Sequence, residues 1–207
     1  SFIGYILGTG INLAYVETSN DIVKIRKSVS PEVLSGRMII NTESGYYCPL
    51  QTSAIEQEMD EGTSDPGHSL FEKRISGRYL GLLSLYIIRR AIEEHLFSTF
   101  FVTNFEHISQ VTTKDLDDYM RSPFGQGKLS QACANDIDRS ILYYLIDNVF
   151  ERASKYAVVA LAAALVKADT GKNPLKPTVV TIDGSTYYKS LLIQSKMAYY
   201  IRGFINN

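Results

Sequence analysis

A long helical pattern over residues 129–167 limits the fold more than any other feature, because its apolar positions recur at helical spacing over many turns. Its second half carries Ala153, Ala157, Ala160, Ala162, Ala163 and Ala164, small side chains that let another backbone come close. A helix of this kind needs neighbours, which places it centrally in a packed structure. It does not read as a membrane span. Its most apolar stretch, residues 156–166, falls short of the roughly 20 residues a bilayer demands and is bracketed by Lys155 and Lys167.

With 207 residues, 45% of them hydrophobic and 21% charged, the chain can build a sizeable core as one large domain or one lobe of something larger. Lys and Arg total 21 against 22 Asp and Glu, a net charge of −1, so no basic surplus draws it to nucleic acid or anionic lipid. Cys48 and Cys133 cannot make a disulfide framework and neither lies in a CxxC pair, which fits a reducing cytoplasm. His68, His95 and His107 are scattered, and no zinc site is expected. The opening Ser1-Phe2-Ile3-Gly4, without Met or a basic flank, does not start like a signal peptide and reads as a cut end.

The first forty-five residues read as β-rich. Residues 2–7 are apolar and end at Gly8-Thr9-Gly10, after which Leu13, Tyr15 and Glu17 continue extended, a hairpin signal. An excursion over residues 21–36 is expected to hold a short strand at 22–25, and residues 37–42 give the third antiparallel strand. Ser53 with Glu56 reads as a capping box opening a short helix to Glu61. A second helix is expected from about His68 or Ser69, with a buried face through Leu83, Ile87, Ala91 and Leu96, and a short exposed one over 114–120. Residues 178–182 are a β-branched run suited to a strand buried on both faces, and Asp183-Gly184-Ser185 turns it into a last helix ending near Phe204.

Three places carry chemistry. Gly8-Thr9-Gly10 could present backbone N–H groups and a hydroxyl to a phosphate, and equally serves as a plain turn. Asn12, Glu43 and Glu72 offer two carboxylates and an amide, the acceptors and donors that distinguish sugar hydroxyls. The alternative is that Glu43 caps a helix and Glu72 pairs with Lys73 or Arg74 at the surface. Asp183-Gly184-Ser185 could seat a phosphate or ribose at a helix start, or Asp183 could be an N-cap.

These motifs come in an order that resembles a known family. Residues 6–12 (Ile-Leu-Gly-Thr-Gly-Ile-Asn), 36–45 (Gly-Arg-Met-Ile-Ile-Asn-Thr-Glu-Ser-Gly), 65–81 (from Asp65-Pro66-Gly67 through Phe71-Glu72-Lys73 to Ser76-Gly77-Arg78-Tyr79-Leu80-Gly81) and Asp183-Gly184-Ser185 resemble the large-domain signatures of the hexokinase and glucokinase family. The resemblance implies an α/β chain with the actin-like ATPase, ribonuclease-H-like fold: the large lobe of a two-lobed sugar kinase, a mixed sheet packed with helices. It implies that Asn12, Glu43, Glu72 and Ser69 bind glucose or a related hexose. Thr9, Gly10, Gly77, Arg78, Gly184 and Ser185 would meet ATP, with Mg2+ carried by the nucleotide, and Thr103 would match the family's threonine near the nucleotide.

This chain departs from the family pattern in several places. Ser44 stands where the family usually has Trp, and Ser69 where it has Gln, so sugar affinity or preference is expected to have shifted. The family's catalytic Asp belongs to an Asn-Asp-Thr motif shortly before the Gly-Thr-Gly turn, and only seven residues precede Gly8 here. The partner of residues 1–207 in the parent would be an N-terminal small domain with its own phosphate loop and a sugar-binding Thr-Lys pair. The implied function is ATP-dependent phosphorylation of a hexose 6-hydroxyl as the first step of glycolysis, with this piece alone inactive. The alternative is a non-catalytic sugar sensor or regulatory relative.

Overall fold

A computed structural model describes residues 1–205. The hairpin forms where turn chemistry places it. β1 (Phe2–Leu7) and β2 (Ile11–Thr18) are antiparallel with Leu7 opposite Ile11, so Gly8-Thr9-Gly10 makes the whole connection. Alternate residues of a strand face opposite sides, and the inward set Ile3, Tyr5, Leu7, Ile11, Leu13 and Tyr15 is buried. A short 3-10 turn (Ser19–Asp21) and the single-turn helix α1 (Pro31–Leu34) lead to β3 (Arg37–Asn41), antiparallel to β2. β4 (Val179–Asp183) pairs parallel with β1 and completes the order β3-β2-β1-β4. Parallel pairing requires a crossover, and the helices between β3 and β4 lie in it.

That crossover holds a second 3-10 turn (Ser44–Tyr46), then α2 (Ala54–Glu61), α3 (Glu72–Ile75), α4 (Leu80–Glu93), α5 (Thr99–Glu106), α6 (Thr113–Arg121), α7 (Lys128–Ala132) and α8 (Asp136–Lys167). After β4 come α9 (Ser185–Lys189) and α10 (Ile193–Phe204). α8 packs against β1 and β2 and against α3, α4, α6 and α10. Leu142, Ile146, Val149, Phe150, Ala153, Ala157, Leu161 and Ala164, three or four apart, are its buried stripe. Ala153 and Ala157 are almost wholly enclosed, so small side chains at the centre of the pattern do permit close packing. Ala163, by contrast, is exposed.

Several expectations give way to tertiary context. Residues 22–25 form a hydrogen-bonded turn and not a strand, with Ile25 N donating to Ile22 O at 3.1 Å. The run 129–167 is two helices. Asn135 interrupts it, and its side chain accepts from Ile137 N and Asp138 N, both at 2.9 Å, capping α8. The helix expected from residue 68 or 69 begins at Glu72, breaks where Ser76 turns extended, and resumes as α4. α5, capped by Ser98, adds a helix that the sequence pattern does not foretell. β4 is an edge strand whose residues alternate between exposed and half-buried, so it is not covered on both faces. The Ser53–Glu56 capping box forms with both of its hydrogen bonds.

Candidate functional site

The hairpin turn is the meeting point of distant segments. On one side, Glu72, the first residue of α3, points its carboxylate at the start of β2, and Oε2 accepts from Ile11 N at 3.2 Å. The glycines make room for it. A Cβ on Gly10 would lie 2.9 Å from Glu72 Oε2, and one on Gly45 3.2 Å from the same atom. Next to Ile11, Asn12 donates from Nδ2 to Asn41 Oδ1 at 2.5 Å, and Asn41 Nδ2 donates to Glu43 Oε1 at the same distance. Asn12, Asn41 and Glu43 therefore form one chain of hydrogen bonds across the ends of β2 and β3, adjoining the residue that binds Glu72.

Glu43 sits in the left-handed backbone region at φ 49°, a cost for a side chain with a Cβ. It occupies the cap position of the 3-10 turn without a side-chain capping bond, so its carboxylate is not used to cap. The neighbouring Ser44 hydroxyl is buried with no hydrogen-bond partner among the described residues. Ser69 is buried with φ 52°, three residues before Glu72, and its hydroxyl bonds none of Asn12, Glu43 or Glu72.

Glu72 does not pair with its basic neighbours. Lys73 turns to Asp60 and Asp65, and Arg74 Nε turns to Glu56 at 2.8 Å, with both cations almost fully buried. Burial alone would lower the Lys73 ammonium, but hydrogen bonds to Asp60 and Asp65 outweigh it and hold its pKa above the ordinary value.

The other side of the turn is built from backbone. Gly8 O accepts from Gly77 N and from Thr186 Oγ1, both at 2.8 Å, and Thr9 O accepts from Arg78 N at 3.2 Å. These contacts depend on missing side chains: a Cβ on Gly77 would fall 2.1 Å from Thr186 Oγ1, and one on Gly184 2.4 Å from the Leu7 carbonyl. Gly184 has φ 128°, which only glycine adopts easily. Thr9, Gly77, Arg78, Ser185 and Thr186 open onto a cleft of about 460 Å³ walled by α6 and α9. Arg78, Lys114, Arg121 and Lys189 bring four cations to it against the two carboxylates Asp117 and Asp118.

The cleft walls are tied together. Asp117 Oδ1 accepts from Ser190 Oγ at 3.0 Å and Leu191 N at 2.9 Å, and Arg121 donates to Lys189 O at 2.9 Å. Burial pushes the Asp117 carboxyl above its ordinary value, against the pull of those two donors.

The structure thus brings Asn12, Glu43 and Glu72 together on one side of the turn, and Thr9, Gly77, Arg78 and Ser185 around the cleft on the other. Gly184 packs under the turn and Gly10 backs Glu72. Thr103 lies exposed on α5 and does not line the cleft, whereas Thr113 does, donating to Gly77 O at 2.7 Å and accepting from Gly81 N at 3.2 Å. Lys114, Asp117 and Arg121, together with Asn41, are further candidates that sequence reasoning missed. The available signal was Gly81: a Cβ there would fall 2.4 Å from Val111 O, so the chain just before Thr113 crosses α4 in close contact.

The sequence pattern of the hexokinase family matches residues 2–207. The chain is 32% identical over 200 residues to a hexokinase-like 1 protein of Arabidopsis thaliana, covering 90% of this chain and 40% of that protein. It is 31% identical over 202 residues to hexokinase-2 of Homo sapiens, covering 90% and 21%. It therefore spans less than half the length of these relatives. Among solved structures, a Schistosoma mansoni hexokinase complexed with glucose superimposes with TM-score 0.78 at 24% identity, covering 97% of this chain and 46% of that one. These likenesses, with the mixed sheet packed by helices, give the actin-like ATPase fold.

Proposed function

Since the chain belongs to the hexokinase family, we propose that it is the large lobe of an ATP-dependent hexokinase phosphorylating the 6-hydroxyl of glucose or a related hexose. The observation that carries this reading is the two-sided use of one turn. Gly10 backs Glu72 beside Asn12 and Glu43, while Gly8 and Thr9 bond the segment that opens onto the basic cleft. A sugar and a polyphosphate seated on the two sides would meet across three residues.

The hexose side suits hydroxyl groups. Glu72 commits Oε2 to a backbone amide and keeps Oε1 to accept, Glu43 likewise keeps Oε2, and the buried Ser44 hydroxyl lacks a partner. Support for a sugar there also comes from the Schistosoma mansoni neighbour, which is a glucose complex. On the cleft side, the surplus of Arg and Lys over Asp suits a nucleotide triphosphate, with Thr9, Gly77, Arg78 and Ser185 near the phosphates and nucleoside, Thr113 beside them, and Gly184 packed under the turn that carries Thr9. ATP supplies the phosphoryl group and, with Mg2+, neutralises its charge. In this reading Mg2+ arrives on the phosphates of the nucleotide.

In this reading the chain's own residues orient. Hydrogen bonds from sugar hydroxyls to Glu43, Glu72 and Asn12 fix the ring so that its 6-hydroxyl faces the cleft, and positioning is a large share of catalysis when the transition state is loose. The general base, worth about 10²–10⁴-fold, is an Asp outside residues 1–207, and a small domain closes over the sugar to exclude water. These residues alone therefore bind hexose and ATP weakly and do not turn over. The parent works in the cytoplasm at the entry to glycolysis.

The test is kinetic, in the full-length protein. Glu72→Ala and Glu43→Ala should each raise the hexose KM roughly 10- to 100-fold, the span expected when a hydrogen bond to a charged group is lost, with little change in the ATP KM. Near-normal hexose use in both variants refutes the site. Ser44 and Ser69, standing in place of the family's Trp and Gln, favour a second reading as a sugar-binding regulator. Hexose binding without phosphoryl transfer by the full-length protein would select it.

A further inference from the structure

Glu72 opens a helix of one turn, and a single turn has no stability of its own. The carboxylate is held against Gly10, Gly45 and the Ile11 amide by the anchoring of the next two residues, Lys73 and Arg74. Lys73 is 1% exposed. Its ammonium donates to Asp60 Oδ1 at 2.6 Å, to Thr63 Oγ1 at 2.9 Å and to the Asp65 carbonyl at 2.8 Å, with the Asp65 carboxylate at 3.1 Å. An ammonium has three N–H donors, and all are used. Arg74 bonds Glu56 and the Gln51 carbonyl. Glu56 and Asp60 are four residues apart on α2 and share one face, so α3 is strapped to α2 at two consecutive residues.

The Lys73 strap reaches further than the Arg74 one. Asp60 Oδ2 also accepts from Gly67 N at 2.7 Å, so the same cluster fixes the turn over residues 65–68, closed by His68 N donating to Asp65 O, that delivers Ser69 in its left-handed conformation. Desolvating two ions offsets most of their attraction, and an apolar pair of the same volume would stabilise as well. What three fixed acceptors around one ammonium add is direction.

We propose that Lys73, through Asp60, Thr63 and Asp65, is a positioning residue for hexose recognition: it sets Glu72 and the Ser69 loop in the geometry that sugar hydroxyls meet. The inference rests on the hexokinase reading of the pocket, and the test separates the two. In the full-length protein, Lys73→Met/Asp60→Asn removes the Lys73–Asp60 ion pair, leaves the Asp65 carboxylate, 37% exposed, to water, and keeps a carbonyl acceptor for the Gly67 amide. Glucose titration by calorimetry, binding of a non-hydrolysable ATP analogue and the thermal unfolding midpoint are measured beside Glu72→Ala.

The double variant should lose about ten-fold or more in glucose affinity while keeping its ATP-analogue affinity. If it fails to fold, Asp60→Asn alone should show the same selectivity with a loss of about three-fold. A folded variant that binds glucose as the natural protein does, where Glu72→Ala has lost binding, overturns the inference and leaves the pocket standing. Equal loss of both affinities with a lower midpoint assigns Lys73 to stability alone and overturns it too. Unchanged glucose affinity in Glu72→Ala removes the pocket itself, and the inference with it.

Discussion

The two sides of the Gly8-Thr9-Gly10 turn are built of different material. Facing β2 and β3 the working groups are side chains, Asn12, Asn41, Glu43 and Glu72, each aimed by a hydrogen bond to a neighbour. Facing α6 and α9 the frame is backbone, with Gly77 and Gly184 in contacts that leave no room for a Cβ, and the charge is supplied by exposed cations around the rim. A pocket that discriminates hydroxyls needs fixed acceptors, whereas one that receives a polyanion needs close backbone approach and a positive field. The contrast yields separable consequences.

The largest effect should come from the contact common to both sides. Gly184→Ala places a Cβ 2.4 Å from the Leu7 carbonyl at a φ of 128°, which should lower stability by about 3 kcal/mol or more. A urea unfolding midpoint reads this, and both ligand affinities should fall together. An unshifted midpoint would mean that the close approach is dispensable.

Next, Lys114→Ala and Arg121→Ala should each weaken ATP-analogue binding about 3- to 10-fold, less at high salt because both groups are exposed. Glucose affinity should not move in either variant. A matching loss on the sugar side would erase the distinction between the two pockets.

A smaller effect is expected at Asp117, which ties α6 to the segment after α9. Asp117→Asn keeps an acceptor for Ser190 and Leu191 while removing a buried charge. Because burial raises the folded-state pKa of this carboxyl, its ionised form is disfavoured in the folded chain. Folding gains from its protonation as pH falls through that raised pKa toward the ordinary carboxylate range. At pH 7 the variant should therefore be at least as stable as the natural chain, and its advantage should shrink as pH is lowered. Thermal midpoints from pH 7 to 4 measure it, and a variant destabilised at pH 7 would show that the charge itself is needed.

The smallest effect is a null one. Thr103→Ala should leave the affinity for either ligand unchanged, since Thr103 is exposed and outside the cleft, while Thr113→Ala should weaken nucleotide binding. The reverse ranking in titrations of the two variants would return Thr103 to the site.

The amino-acid sequence alone determined what depends on residues close together in the chain. The Gly-bounded hairpin, the Ser53–Glu56 capping box and the small-residue centre of α8 come from turn, cap and packing chemistry acting over a few positions. The ordered glycine and carboxylate motifs were legible for the same reason, and the family resemblance rests on them. Tertiary structure decided everything that turns on which distant segments meet. Glu72 turns to the Ile11 amide and not to its basic neighbours because Lys73 and Arg74 have better partners on α2, a choice made by packing and not by adjacency. Thr113 reaches the cleft and Thr103 does not because the chain crosses α4 at Gly81. β4 reads as a strand buried on both faces yet alternates between exposed and half-buried at the sheet edge, because strand propensity reports local fit to a pleated surface and carries no information on what will cover it.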